Sequence, residues 1–204
     1  MIDFDSKARQ WDQNPVFIER GEKIAAAIRA AVPLSRDMRA LDYGSGTGLL
    51  SFPLRDALGH ITLKDSSAGM LEVAREKIAA QGVTNMTVRQ ADLTAEPMPE
   101  ERYDLICSAM TLHHIPDTRH ILAVFHGLLS PGGWVCIADL DREDGSFHGS
   151  EVDVHHGFDR QALAGLVTAA GFGETRFETV FEIVKETEQG SRAYPVFLMV
   201  ARRG

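Results

Sequence analysis

The chain has 204 residues, 44% of them hydrophobic, and a formal net charge of −8. This length fits one domain spanning 1–204 with a full hydrophobic core. The acidic excess argues against a nucleic-acid partner, because a phosphate-binding surface needs clustered Lys and Arg. The sequence shows no secretory leader and no run of about 18 apolar residues, so we expect a cytoplasmic protein without a membrane span.

The N-terminal region, 1–32, is predicted to be helical, because Asn14 is a good cap and Pro15 suits a first helical position. Beyond it, short β-branched runs alternate with helix-period segments, which is typical of a parallel sheet covered on both faces. Helices are predicted over 48–58, 67–81, 117–129 and 159–170, the last two capped by Asp117 and Asp159. Strands are predicted over 38–43, 60–65, 86–91, 103–109 and 133–140.

Two further segments define the topology. The final runs "FETVFEIVKE" and "YPVFLMVARR" have only "TEQGSRA" between them, which predicts a closing antiparallel hairpin. The segment "DLTAEPMPEER" after the third strand contains two prolines and is too short for a packed crossover helix. We therefore predict an α/β fold with a doubly wound, mostly parallel sheet of about seven strands. Its order should reverse after the third strand, so that the fourth strand lies beside the first.

The stretch "ALDYGSGTGLL" at residues 40–50 places three glycines, Gly44, Gly46 and Gly48, between a strand and a helix. Such a bare backbone allows a ligand to approach the amides at the helix start. The G-x-G-x-G spacing differs from the G-x-G-x-x-G of dinucleotide-binding proteins. Asp42, directly before the glycines, would repel phosphate and attract an ammonium or sulfonium group.

Two more aspartates follow strands at the same predicted edge of the sheet. Asp65 ends the second strand, where a carboxylate can accept both hydroxyls of a ribose. Asp92 ends the third strand and can accept from an exocyclic adenine amine. One such aspartate is often only a cap or a turn residue, but three of them beside the glycine loop indicate a nucleoside site.

Five segments together resemble the class I S-adenosylmethionine-dependent methyltransferases, including the small bacterial ubiquinone/menaquinone-biosynthesis type. The segments, which run in order within about residues 4–140, are "ALDYGSGTGLL", "LKDSSAGML", "RQADLT", "YDLICSAMTLHHIPD" and "LLSPGGWVCIAD". The resemblance implies a Rossmann-like fold, S-adenosyl-L-methionine as the cofactor and S-adenosyl-L-homocysteine as the product. Tyr43 and Ser45 depart from the residues that are frequent at their positions in this family.

The resemblance also implies roles for individual residues. Asp42 and the glycine loop, including Ser45, would hold the methionine end of the cofactor. The segment with Asp65 would hold the ribose, and Asp92 with Leu93 the adenine. Further cofactor contacts are implied in the second and fourth motifs, at Ser66, Met70, Ser108 and Ala109. The segment "FDSKARQWDQNP" resembles a lid, in which Trp11 would either cover the methionine end or seal the edge of the domain.

The acceptor side is predicted to be rich in histidine. His113 and His114 follow the fourth strand, and either could be a general base if the acceptor must lose a proton. They could equally pack inward and support the turn. His148, His155 and His156 lie in a polar loop over 141–158 and are candidates for substrate contact. Their spacing, together with Asp139, Asp141 and Asp153, matches no closed metal site, so no metal is expected.

The sequence thus predicts an enzyme that moves a methyl group from S-adenosylmethionine to a small-molecule acceptor. Two alternatives stay open: an NAD-dependent oxidoreductase on a similar sheet, and a non-catalytic protein that only binds S-adenosylmethionine. No "NPPY"-type segment follows the fourth strand, which by the same resemblance argues against methylation of nucleic-acid bases. The identity of the acceptor, the atom that is methylated and the oligomeric state are not predicted.

Overall fold

One mixed sheet organises the computed structural model, which describes residues 3–97, 100–149, 154–187 and 190–204. The strand order among these residues is β3-β2-β1-β4-β5-β7-β6. The first five strands pair in parallel, and β7 runs antiparallel to both β5 and β6. This arrangement confirms the predicted fold class. The strands are β1 (Arg39–Tyr43), β2 (His60–Asp65), β3 (Met86–Gln90), β4 (Tyr103–Ala109), β5 (Leu129–Leu140), β6 (Arg176–Thr187) and β7 (Gly190–Arg202).

Helices cover both faces of this sheet. Predicted caps are confirmed at Asn14, Asp117 and Asp159, whose side chains each accept a hydrogen bond from a backbone amide of the first helical turn. None of the described helices is long and apolar enough to cross a bilayer. The helices are α1 (Phe4–Trp11), α2 (Pro15–Ala31), α3 (Ser51–Leu54), α4 (Ala68–Ala80), α5 (Thr118–Leu128) and α6 (Arg160–Ala169).

The sheet separates two hydrophobic clusters, because successive strand residues point to opposite faces. On β1, Ala40 belongs to the cluster that includes Ile24 and Ile28 of α2. Leu41 belongs to the opposite cluster, with Phe125 of α5 and Val167 of α6. Burial on both faces fixes the register of the central strands, and therefore the position of the side chains that follow them.

The predicted reversal of strand order is confirmed. β4 pairs with β1, with Ala40 opposite Leu105 and Asp42 opposite Cys107. The loop after β1 and the turn after β4 therefore leave the sheet side by side. This neighbourhood is where ligands bind in doubly wound sheets.

The structure corrects two predicted boundaries. The helix predicted over 48–58 is limited to the single turn of α3 and a 3₁₀ turn over Arg55–Ala57. Gly48, with φ of +86°, and Pro53, which lacks an amide hydrogen, both limit a longer helix here. The hairpin strands also extend into the predicted loop "TEQGSRA", since Lys185 pairs with Arg192 and Thr187 with Gly190. Polar residues suit these strands because β6 lies at the edge of the sheet.

Candidate active site

The glycine loop after β1 is shaped by positive φ angles at Gly44, Gly46 and Gly48. A Cβ atom on Gly44 would lie 2.3 Å from the side chain of Thr111, so a larger residue does not fit there. Gly46 is different, because the nearest atom to its Cβ position is Met70 Sδ at 4.0 Å. The loop is therefore tightly packed at its start and open at its tip.

Asp65 lies beside this loop at the end of β2. One carboxylate oxygen accepts a hydrogen bond of 2.8 Å from the amide of Gly46, and the other accepts one of 2.8 Å from the amide of Ser67. Burial raises the pKa of Asp65, while these amide hydrogen bonds oppose the rise. Asp65 thus fixes the tip of the glycine loop and joins it to the start of α4.

Asp42 lies beneath the loop and is 3% exposed. Ser51 Oγ donates a 2.6 Å hydrogen bond to its carboxylate. Burial raises the pKa of Asp42 to about 7, although the bond from Ser51 acts in the opposite direction. Because this pKa is near neutrality, a cation placed above the loop would stabilise the charged carboxylate.

Asp92 is linked to β1 through Tyr43. The Tyr43 hydroxyl donates to Asp92 Oδ1 at 3.5 Å and accepts from the amide of Leu93 at 3.2 Å. The amide and hydroxyl of Thr94 also donate to Asp92 Oδ1. Asp42 near the end of β1, Asp65 at the end of β2 and Asp92 just after β3 therefore lie at one edge of the sheet, as the sequence predicts.

The other predicted cofactor residues lie around the same edge. Ser108 is buried, and its hydroxyl donates to the carbonyl of Tyr43 at 2.9 Å, while Ala109 ends β4. The carbonyl of Ser66 accepts from Gln90 at 2.9 Å. Met70 is buried beneath Gly46. These contacts support the shape of the site.

Ser45, in the glycine loop, is a further residue that could contact a ligand. Its hydroxyl is buried and has no hydrogen-bond partner among the described residues. A buried hydroxyl without a partner is costly, so such a group is expected to bind something else. The residues present fit the cofactor that the sequence implies.

Trp11 packs among aromatic residues at the N-terminal side of the site. Its ring centroid lies 4.6 Å from that of Phe17 and 6.0 Å from that of Phe4. The adjacent Asp12 accepts a 2.5 Å hydrogen bond from the Thr47 hydroxyl in the glycine loop. This end of α1 is thus attached to the loop.

A cluster of three histidines lies after β4. His113 is 1% exposed, and its Nδ1 donates to Asp139 Oδ1 at 2.7 Å. Its Nε2 lies 3.0 Å from Nε2 of His148. The ring of His114 is centred 4.1 Å from that of His113 and 5.3 Å from that of His148. The structure thus brings together both predicted base candidates and one of the loop histidines.

The electrostatics of this cluster follow from burial. Burial alone would raise the pKa of Asp139, but its contacts with His113 and the amide of Leu140 hold that pKa below its usual value. Burial and the neighbouring His113 lower the pKa of His114 to about 3 and that of His148 to about 4. His114 and His148 are therefore neutral at physiological pH.

The remaining loop histidines do not join the cluster. The amide of His155 donates to the carbonyl of His113 at 2.8 Å, and its Nε2 lies 3.0 Å from the carbonyl oxygen of Ile115. His155 thus attaches the loop to the turn after β4. His156 is exposed and lies beside Gly145. Asp153, a further predicted loop residue, lies outside the described residues.

Sequence reasoning missed Arg20, a buried cation near this site. Arg20 is 9% exposed, and its guanidinium lies 4.9 Å from the ring centroid of Phe17 without a hydrogen-bond partner in the described part of the chain. Burial lowers its pKa to about 10, and the charge of Asp139 opposes this. The sequence pattern could have predicted this burial, because Arg20 lies one helical turn before Ile24 on the apolar face of α2.

Comparison with known proteins identifies the family. The model of the family described as a methyltransferase domain matches residues 34–189. An uncharacterized methyltransferase of Mycobacterium tuberculosis is 34% identical over 114 residues, which cover 55% of each chain. The ubiquinone/menaquinone biosynthesis C-methyltransferase of Edwardsiella ictaluri is 28% identical over 173 residues, covering 70% of this chain and 69% of that one. The chain thus spans about half the length of the first of these relatives.

Solved structures share the fold at low identity. A SAM-dependent methyltransferase from Aquifex aeolicus has a TM-score of 0.68 and 20% identity, covering 98% of this chain and 99% of that one. Phosphoethanolamine N-methyltransferase 2 of Haemonchus contortus, in complex with S-adenosyl-L-methionine, has a TM-score of 0.74 and 16% identity. That match covers 100% of this chain and 60% of the other. Because the family model matches well over half of its residues, the chain belongs to the methyltransferase-domain family.

Proposed function

We propose that this chain binds S-adenosylmethionine across the carboxyl ends of β1, β2 and β3 and transfers the methyl group to a small-molecule acceptor beside the histidine cluster. The observation that carries the proposal is that Asp42, Asp65 and Asp92 lie at one edge of the sheet beside a glycine loop, in which the Ser45 hydroxyl has no hydrogen-bond partner among the described residues. Each group is of the type that the methionine end, the ribose or the adenine requires.

Asp65 can serve both the loop and a ribose. Each carboxylate oxygen has two lone pairs. One oxygen accepts a single hydrogen bond from the amide of Gly46, and the other accepts a single hydrogen bond from the amide of Ser67. Capacity therefore remains for two hydroxyl donors. In the same way Asp92 offers its Oδ2, since its contacts with Tyr43 and Thr94 all use Oδ1.

The chain's main task in such a reaction is to position the acceptor. The cofactor, when bound, supplies a methyl group that its sulfonium already activates. Asp42 and the glycine loop would hold the cationic end close to β4, and α1 would shield this region from water. A proton acceptor is needed only when the methylated group carries a proton to be lost.

The surroundings of the histidines support a small acceptor. The ring of Phe4 is centred 5.4 Å from His114, and that of Phe147 is centred 4.8 Å from His148. The cluster thus packs against α1 on one side and against Phe147 on the other. Such packing suits a small molecule better than a polymer, in agreement with the acidic net charge of −8.

Of the two predicted base candidates, His114 is the better placed to contact the acceptor. Both ring nitrogens of His113 are engaged, by Asp139 and by His148. Among the described residues, no hydrogen bond involves the ring of His114. We therefore assign contact with the acceptor to His114 and His148, with His113 as the residue that positions His148.

S-adenosylhomocysteine is expected to raise the melting temperature of the protein, because a ligand that binds only the folded state stabilises it by mass action. The measurement is a thermal-shift titration up to millimolar ligand, with NADH as the matched control. A shift with NADH and none with S-adenosylhomocysteine would refute the proposal. Binding without methyl transfer to any acceptor in a broad screen would instead favour the non-catalytic alternative.

A further inference from the structure

The imidazoles of His113, His114 and His148 lie closer together than contact with an acceptor by itself requires. One ligand nitrogen from each ring lies within 4.8 Å of the others. We propose that these three histidines bind one divalent transition-metal ion, for which Zn²⁺ is the best match. The sequence alone predicts no metal, because His148 is separated from the other two by more than thirty residues.

The distances are those of a site that needs little rearrangement. In a tetrahedral zinc site with Zn–N bonds of about 2.0–2.1 Å, ligand nitrogens lie about 3.4 Å apart. The Nε2 atoms of His113 and His148 are 3.0 Å apart. His114 must approach further, and it can do so by rotation of its side chain, because no hydrogen bond within the described residues holds its ring.

Asp139 supplies the second feature of a metal site. It accepts the Nδ1 proton of His113 at 2.7 Å, which directs the Nε2 lone pair toward the cluster. A carboxylate behind a histidine ligand is a recurrent arrangement in metalloproteins, where it fixes the tautomer and the ring orientation. Asp139 is 0% exposed and also accepts from the amides of His113 and Leu140, so this support is rigid.

The loop that carries His148 is also held in place. Lys185 on β6 donates to the carbonyl of Phe147 at 2.7 Å, and the carboxylate of Glu143 accepts from the amide of Phe147 at 3.1 Å. These bonds position the residue next to His148. The third ligand is therefore presented by an anchored segment, although it comes from a loop.

The ligand set indicates the class of metal. Three imidazole nitrogens without a direct carboxylate ligand suit Zn²⁺, Co²⁺, Ni²⁺ or Cu²⁺ and do not suit Mg²⁺ or Ca²⁺, which prefer oxygen. Three protein ligands are also typical of zinc sites that keep one position open. If the proposed function holds, that position is available to an oxygen or sulfur atom of the acceptor, whose pKa the ion would lower.

A simpler explanation of the short contact is a hydrogen bond between His113 and His148 that involves no metal. The experiment that separates the two uses chelator-treated, tag-free protein titrated with Co²⁺. The visible absorption of cobalt reports a low-coordinate site, and subsequent Zn²⁺ should abolish it by displacement. We expect one Co²⁺ per chain. Absence of these bands, together with no calorimetric binding of Zn²⁺, would overturn the proposal.

Variants identify the ligands. His148→Ala and His114→Ala should each lower the affinity for Co²⁺ by at least about 100-fold, and Asp139→Asn by about 10- to 100-fold. The matched control is His120→Ala, which removes an exposed histidine of α5 and should leave the affinity unchanged. Wild-type affinity in both ligand variants would overturn the assignment. Because the readout requires no methyl transfer, failure of the metal proposal and failure of the proposed function are distinguishable.

Discussion

Asp65→Ala is expected to weaken the binding of S-adenosylhomocysteine by about 30-fold to 1,000-fold, which corresponds to roughly 2–4 kcal/mol. Two charge-assisted hydrogen bonds to the ribose would be lost. The structure adds a second cause, because the same carboxylate accepts from the amides of Gly46 and Ser67. Without it the tip of the glycine loop loses its fixed conformation. Isothermal calorimetry measures the change directly.

The control for this prediction is Asp56→Ala. Asp56 lies in the 3₁₀ turn after α3, and its side chain is 77% exposed, with only a long contact to Arg55. This substitution should leave the affinity within a few-fold of the wild-type value. Equal affinities of the wild-type protein and Asp65→Ala would mean that the ribose does not bind at the end of β2.

Asp139→Ala is expected to lower the free energy of unfolding by about 3–5 kcal/mol, because it leaves three buried donors, the Nδ1–H and amide of His113 and the amide of Leu140, without their acceptor. The measurement is urea denaturation in the presence of a chelator, so that any metal contributes nothing. Asp141→Ala is the matched control two residues further along the chain. Asp141 pairs with Arg160 where both side chains remain partly exposed, so its loss should cost about 1 kcal/mol or less. Equal losses in the two variants would contradict the importance of the buried hydrogen bonds to Asp139.

The contribution of Asp139 also depends on pH in a defined direction. Its pKa in the folded protein lies below the usual value, so the unfolded chain binds a proton more readily. The contribution is therefore present above the unfolded pKa of about 3.9 and is lost as pH falls toward the folded pKa. Comparison of the wild-type protein with Asp139→Asn between pH 7 and pH 3 should show the difference in stability shrinking.

The grouping of the candidate cofactor residues at one edge of the sheet was predictable from the sequence because each residue lies close to a strand end. The glycines and the three aspartates lie at or just after the carboxyl ends of short apolar strands, and parallel strands end at one edge of a sheet. The reversal of strand order was also predictable, since a short segment with prolines has no room for a crossover helix. The extent of α3 was not, because Pro53 and Gly48 limit it within an otherwise helical pattern.

The acceptor side was only partly predictable because it depends on a loop. His113 and His114 are neighbours in a 3₁₀ turn of three residues. A turn this short has no repeating pattern of hydrophobic residues that would predict which ring points inward. The pairing with Asp139 decides this, and it follows from the register of β5 against β4. The approach of His148 depends on the path of the 141–158 loop, which tertiary contacts such as that between His155 and His113 establish.

Amide hydrogen exchange with and without S-adenosylhomocysteine shows directly where on the sheet the cofactor binds. We expect ligand-induced protection in peptides that cover 43–50, 65–70 and 91–94, which contain the glycine loop, the end of β2 and the residues just after β3. Peptides from 176–186 on the edge strand β6 should exchange at unchanged rates. Protection confined to other segments, or no protection at saturating ligand, would contradict the account.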